Sequence, residues 1–218
     1  MIYPQPPRSQ SPLPPAVLGL IATNVIFYMM QQSQPVLLQT HLALWPAGTP
    51  EVWGRFQIPQ FAPWQVLTYG FLHGGFTHLF FNLFALWMFG TQIENLWGAR
   101  AFLFYYFICV VGAGLIQLVV VSTGIDSINQ IYPTVGASGG VFGILLAYGM
   151  MFPNRIIMLL IPPIPLKAKY FVIGYGALEL FFGVTGTQQG VAHFAHLGGM
   201  AFGYGVLRYW RSRAQRFR

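Results

Sequence analysis

The chain has 218 residues, of which 55% are hydrophobic and only 7% charged, against roughly 25% charged in an average soluble domain. That balance excludes an ordinary soluble enzyme and predicts an all-α membrane protein. The net charge of +7 follows the positive-inside rule better than it fits a nucleic-acid surface.

Residues 1–15 are Pro-rich and are expected to form a disordered cytoplasmic tail. Apolar windows follow at 16–30, 76–97, 102–122, 138–152, 169–184 and 191–210, judged against about 20 residues for a full crossing. They predict six transmembrane helices in one domain, 16–210, followed by a basic cytoplasmic tail at 211–218. The first window also has the length of a signal-peptide apolar core, but the "YMMQQSQP" after it lacks a small-residue cleavage site, so it counts as a span. A long outer first loop of roughly 40 residues comes next. Its "PEVWGRFQIPQFAPW" is rich in Trp, Phe and Pro, which places it in the headgroup zone. Cys109, the single cysteine, falls in the third window and cannot pair within the chain. Before the fifth window, "LLIPPIPLKAKY" carries prolines that forbid one continuous helix. An inner hinge there would leave the fifth span loosely packed, as a lateral gate toward lipid.

With both termini cytoplasmic, Arg8, Arg100, Arg155, Lys167, Lys169, Arg208, Arg211, Arg213, Arg216 and Arg218 share one side. Only Arg55 lies outside, and no basic stripe remains for a nucleic acid. No soluble domain, Arg-rich transit segment or extra span is evident, which points to a prokaryotic cell (inner) membrane.

Polar side chains inside spans are costly, so each is a functional candidate: Asn24, His73, His78, Asn82, Gln117, Ser138, Glu179, His193 and His196. Counting 1.5 Å per residue, Ser138 stands about 24 Å above Asn154 and His196 about 18 Å above Arg208. The two share a depth several ångström beneath the outer face. Gly139 and Gly143 lie four apart beside the serine, while His196, Gly199 and Gly203 form a stripe, and small residues let membrane helices approach closely. A serine there ordinarily caps a helix and a histidine ordinarily bonds a carbonyl. At one depth on small-residue faces, the pair can instead make a nucleophile and its base.

At this point the residues resemble the rhomboid intramembrane serine proteases. The matching elements are "HGGFTHLFFN" with His73, His78 and Asn82, "GASG" at 136–139, and "AHLGGMAFG" at 195–203, in order on the second, fourth and sixth windows. The resemblance implies a six-transmembrane-helix rhomboid-like bundle, with Ser138 as nucleophile, His196 as general base, and His78, Asn82 and the Ser138 backbone N–H as oxyanion donors. It also implies a Ser-His dyad, transmembrane proteins as substrates in the lipid bilayer, and neither cofactor nor metal. His193 is then a structural neighbour, and His73 takes no catalytic role. The chain departs from the family at Trp64-Gln65, where many members have Trp-Arg, and at Phe142, where a Tyr is common. The first puts a loop anchor in doubt; the second keeps stacking on the histidine and loses a hydroxyl.

A triad would need a carboxylate. Of the four acids, Glu51 and Asp126 belong to outer loops and Glu94 lies near the inner end of the second span. Glu179, about 15 Å up the fifth span from Lys169, has a compatible depth, and either a third catalytic role or an interhelical bond would explain it. Three other readings compete: a transporter, for which no internal repeat is found; a zinc site from His78, His193 and His196, without HExxH or cysteine ligands; and a catalytically silent rhomboid-like binding protein.

Overall fold

The computed structural model describes residues 11–47, 59–123, 132–159, 162–187 and 191–216. Arg8, Glu51, Arg55, Asp126 and Arg218, and most of the Trp-rich loop and the Pro-rich tail, lie outside the described residues. Within them the fold is helical apart from one short hairpin.

Helix α1 (Pro15–Ser33) opens with proline at its first position, where the missing N–H costs nothing. The next two N–H groups, of Ala16 and Val17, donate to the two carboxylate oxygens of Glu94 at 2.9 and 2.7 Å. Glu94 therefore caps a helix 77 residues away in sequence, a contribution of about 0.5–2 kcal/mol for a capping side chain. Helix α2 (Pro35–Leu42) and the short α3 (Gln65–Thr68) bracket the first loop, and a 3-10 turn, Tyr69–Phe71, extends α3. The second window becomes α4 (Phe76–Ala85), a π-helical turn at Leu86–Gly90, and α5 (Thr91–Trp97). Helix α6 (Ala99–Thr123) fills the third.

Helix α7 (Ser138–Met151) is the packing centre: nearly every residue from Gly139 to Gly149 is buried, among α6, α9 and the π turn. The backbone can come this close because the facing residues are small. A Cβ on Gly199 would strike the Gly139 carbonyl oxygen. Gly143 lies against Cys109 and the Gly199 carbonyl. Gly203 takes a different part from the one its spacing predicts, because it faces Tyr105 and Cys109 of α6 instead of α7. Two buried tyrosines tie the centre together, Tyr105 donating to the Gly143 carbonyl and Tyr69 to that of Val110, each at 2.8 Å. Each thereby satisfies its one polar atom in an apolar setting.

The prolines before the fifth window do interrupt the helix, but they build a hairpin and not a free hinge. Strand β1 (Ile156–Met158) pairs antiparallel with β2 (Pro165–Lys167). The first N–H groups of α8 (Ala168–Thr185) then donate to the Arg155 and Pro153 carbonyls at 2.9 and 3.1 Å. That end of α8 is fixed. Helix α9 (His193–Arg216) runs beyond the sixth window, so the basic segment set apart as a tail continues the helix as far as Arg216. Its apolar stripe simply gives way to Arg208, Arg211 and Arg213 without a breaker.

Among the described helices, α6 alone is long and apolar enough to cross a membrane by length and composition. Three of the other windows fall short for separate reasons. Helix α7 has 14 residues, the second window is divided by its π turn, and the far end of α9 is basic.

Candidate active site

Ser138 is the first residue of α7, and no side-chain cap bond forms at that helix start. Its Oγ lies instead 2.8 Å from Nε2 of His196. Gly136 sets up the approach. Its φ of +135° is one that residues with a Cβ rarely adopt, and its N–H is held by the Tyr69 carbonyl at 3.0 Å. A Cβ there would lie 2.7 Å from Cε1 and 2.9 Å from Nε2 of His78, so the glycine admits the His78 ring beside the serine. The first i to i−4 bond of α7 is made by Val141 to the Ala137 carbonyl, at 3.1 Å. The N–H groups before it, that of Ser138 included, have no acceptor within the helix.

His196 lies in the first turn of α9, and its ring stacks on Phe142 with centroids 4.2 Å apart and planes 6° from parallel. Phe142 stacks in turn on Tyr175 of α8 at 5.1 Å. The stacking expected of Phe142 is present. At the other edge of the imidazole, Nδ1 lies 2.8 Å from Oε2 of Glu179, and the same oxygen is 2.6 Å from Nδ1 of His193. Both histidines and Glu179 are buried. Three helices thus converge: α7 brings Ser138, α9 His196 and α8 Glu179.

Sequence reasoning placed Glu179 at a compatible depth but left its partner open, and it read His193 as a neighbour only. The available signal was "AHFAH": an i, i+3 pair shares a helix face, so an acid reaching one ring can reach both. Glu179, His193 and His196 also offer ligand atoms within 4.8 Å of one another and could hold a metal ion. His78 is not in that group, which corrects the set suggested by spacing; its ring is across the site, against Gly136.

His78 Nδ1 accepts the Gly74 N–H at 3.3 Å, and Asn82 donates one amide proton to the His78 carbonyl at 2.8 Å. His73 packs edge-on to His78 at 5.2 Å; its buried ring nitrogens have no hydrogen-bond partner among the described residues. Its peptide is clamped by Gln31, which donates to the carbonyl at 2.9 Å and accepts the N–H at 3.0 Å. Gln65, standing where an arginine is common in the resemblance, is buried and anchors the loop as an acceptor: Oε1 takes the N–H groups of Trp45 at 3.3 Å and Ala62 at 3.2 Å. The other polar candidates serve structure, Asn24 bonding the Leu20 carbonyl at 2.7 Å and Gln117 the Thr134 hydroxyl at 3.3 Å.

The Rhomboid domain family model matches residues 60–213, which hold Ser138, His196, Glu179, His193, His78 and Asn82. The chain belongs to the rhomboid family. Rhomboids are integral membrane proteins, and the exposed Phe76, Phe80, Phe81 and Trp87 around α4 and Ile173, Leu180, Phe181 and Val184 of α8 give the fold two apolar outer surfaces. Among rhomboid relatives, the chain is 30% identical over 153 residues to Rhomboid protein 1, mitochondrial, of Saccharomyces cerevisiae, covering 67% of this chain and 41% of the relative. It is 31% identical over 143 residues to Rhomboid protease GluP of Bacillus subtilis, 65% of this chain and 25% of that one. To Rhomboid protease AarA of Providencia stuartii it is 28% identical over 202 residues, 85% and 68% respectively. The match thus spans less than half of the first two relatives.

Proposed function

We propose that this rhomboid is an intramembrane serine endopeptidase that hydrolyses a peptide bond of transmembrane proteins near the outer membrane face. The observation that carries the reading is the 2.8 Å contact between Ser138 Oγ and His196 Nε2. The hydroxyl proton passes to Nε2 as Oγ attacks the scissile carbonyl carbon. His196 then returns it to the leaving amine, an ester remains on Ser138, and a water activated by His196 releases the acyl group. The negative charge on the former carbonyl oxygen is met by the Ser138 N–H, by His78, and by the Asn82 amide proton not spent on the helix.

Six crossings with both termini cytoplasmic remain the reading of the apolar windows and the arginine distribution, in a prokaryotic inner membrane. The short α7 supports the proposed depth. At 1.5 Å per residue it spans about 21 Å of a core of about 30 Å, so a helix starting at the inner face places Ser138 below the outer surface. There a polar depression can admit the water that hydrolysis needs. A substrate helix must unwind locally to offer a carbonyl, which favours Gly, Pro or β-branched breaks.

The test is cleavage of a single-span substrate in reconstituted vesicles by wild type, Ser138→Ala and His196→Ala, with labelling by a fluorophosphonate. Cutting and labelling by the wild type, with losses on the order of 10⁴-fold or more in both variants, are expected. A wild type that neither cuts nor labels would replace this reading with the catalytically silent binding protein.

A further inference from the structure

We propose that Glu179 is a positioning residue for His196, so that the dyad implied by the family resemblance works in this chain as a Ser138–His196–Glu179 triad; this rests on the protease reading above. An ionised carboxylate only accepts hydrogen bonds. The 2.8 Å contact to Glu179 therefore assigns the His196 proton to Nδ1 and leaves Nε2 as the acceptor facing the serine, the tautomer a general base needs.

Three further observations separate this from an incidental interhelical bond. Glu179 is only 6% exposed, and burying a carboxylate is costly unless it is fully engaged. Its Oε2 is also held by His193 at 2.6 Å, so the acceptor is itself fixed in place. The stacked Phe142 ring sets the imidazole plane, which leaves in-plane rotation for Glu179 and Ser138 to fix from opposite edges. The arrangement also links the base to the docking of α8. The buried residues of that helix are Ala168 and Val172 near its hairpin-anchored end, and Glu179 further along. The far half of α8 is held to α9 by Glu179 and by Phe182 against the His193 ring, so moving it away takes the acceptor from His196.

The experiment compares wild type, Glu179→Gln and Glu179→Asp in the full chain, in vesicles, for kcat and KM with a single-span substrate. A separate NMR measurement uses Ser138→Ala protein labelled with ¹⁵N-histidine. Glutamine can offer an N–H to Nδ1 and stabilise the wrong tautomer, so kcat should fall on the order of 10²- to 10⁴-fold with KM little changed, and aspartate should recover part of the loss. The Ser138→Ala protein should show a strongly downfield Nδ1 proton on His196, missing once Glu179→Gln is added. Glu179→Gln within threefold of wild type in kcat overturns the proposal. So does the absence of that downfield proton, a readout that stands even if Glu179→Gln fails to fold. Loss of wild-type activity to a chelator with recovery by zinc overturns it in favour of a metal at Glu179, His193 and His196. Failure of the wild type to cut or label removes the protease reading instead, while the NMR signal still decides whether Glu179 orients His196.

Discussion

Asn82 shows how little one residue type says about its use. Asn24 and Asn82 both sit on apolar helices and both donate to the carbonyl four residues back, at 2.7 and 2.8 Å. What separates them is the neighbour. His78 stands one turn before Asn82 and against the Gly136 that leads into Ser138. Under the proposed mechanism the remaining amide proton of Asn82 meets the developing oxyanion. Asn82→Ala should therefore lower kcat on the order of 100- to 1,000-fold with little change in KM or melting temperature, whereas Asn24→Ala should leave kcat unaltered. Equal kcat for Asn82→Ala and wild type would remove that residue from the oxyanion site. The "HGGFTHLFFN" spacing made the His78 and Asn82 pairing legible, since four residues make one helical turn. The Glu179 contact was not, because it depends on which face α8 turns toward α9.

At the scale of elements, the α7–α9 crossing decides both stability and chemistry, because it sets the reach from Ser138 to His196. Gly199 is the residue on which it turns, as an added Cβ meets the Gly139 carbonyl, backbone that cannot rotate aside. Gly199→Ala should cost about 1–3 kcal/mol, as overpacking does, and should lower cleavage by more than the loss of folded protein explains. Gly205 lies on the same helix with nothing within 4 Å of an added Cβ. Gly205→Ala should be neutral or slightly stabilising, since alanine is the better helix former. Thermal melting in detergent beside vesicle activity reads both, and equal behaviour of the two variants would refute the close-packed crossing. The small-residue pattern announced a crossing. It left open that Gly203 serves α6, because a stripe at i, i+3, i+7 follows one face while the helix passes two neighbours.

For the whole molecule, the proposed topology makes one vectorial prediction. With Ser138 near the outer face, cleavage sites mapped by mass spectrometry in oriented vesicles should fall in the outer part of a substrate's span, close to Gly, Pro or β-branched residues. Products cut near the cytoplasmic end would reverse the orientation inferred from the arginines. The loosely packed gate expected of the fifth span is not what α8 presents, because the helix is anchored by the hairpin at one end and tied to α9 at Glu179 further along. The proline run announced a break in the helix but not its form. A missing N–H tells where a ladder stops, whereas strand pairing needs the partner segment to return.

The sequence by itself determined the helical character, the positions of the apolar windows and Ser138 and His196 as the pair to watch, while the resemblance to rhomboids added His78 and Asn82. These follow from composition, periodicity and short motifs, all of which are local. Only the tertiary structure decided that Glu94 caps α1, that Gln65 anchors the first loop, and that one Glu179 oxygen holds two histidines. Those contacts join side chains from separate elements. Their distances depend on how the helices turn about their own axes as they pack, and each helix's own spacing leaves that rotation open.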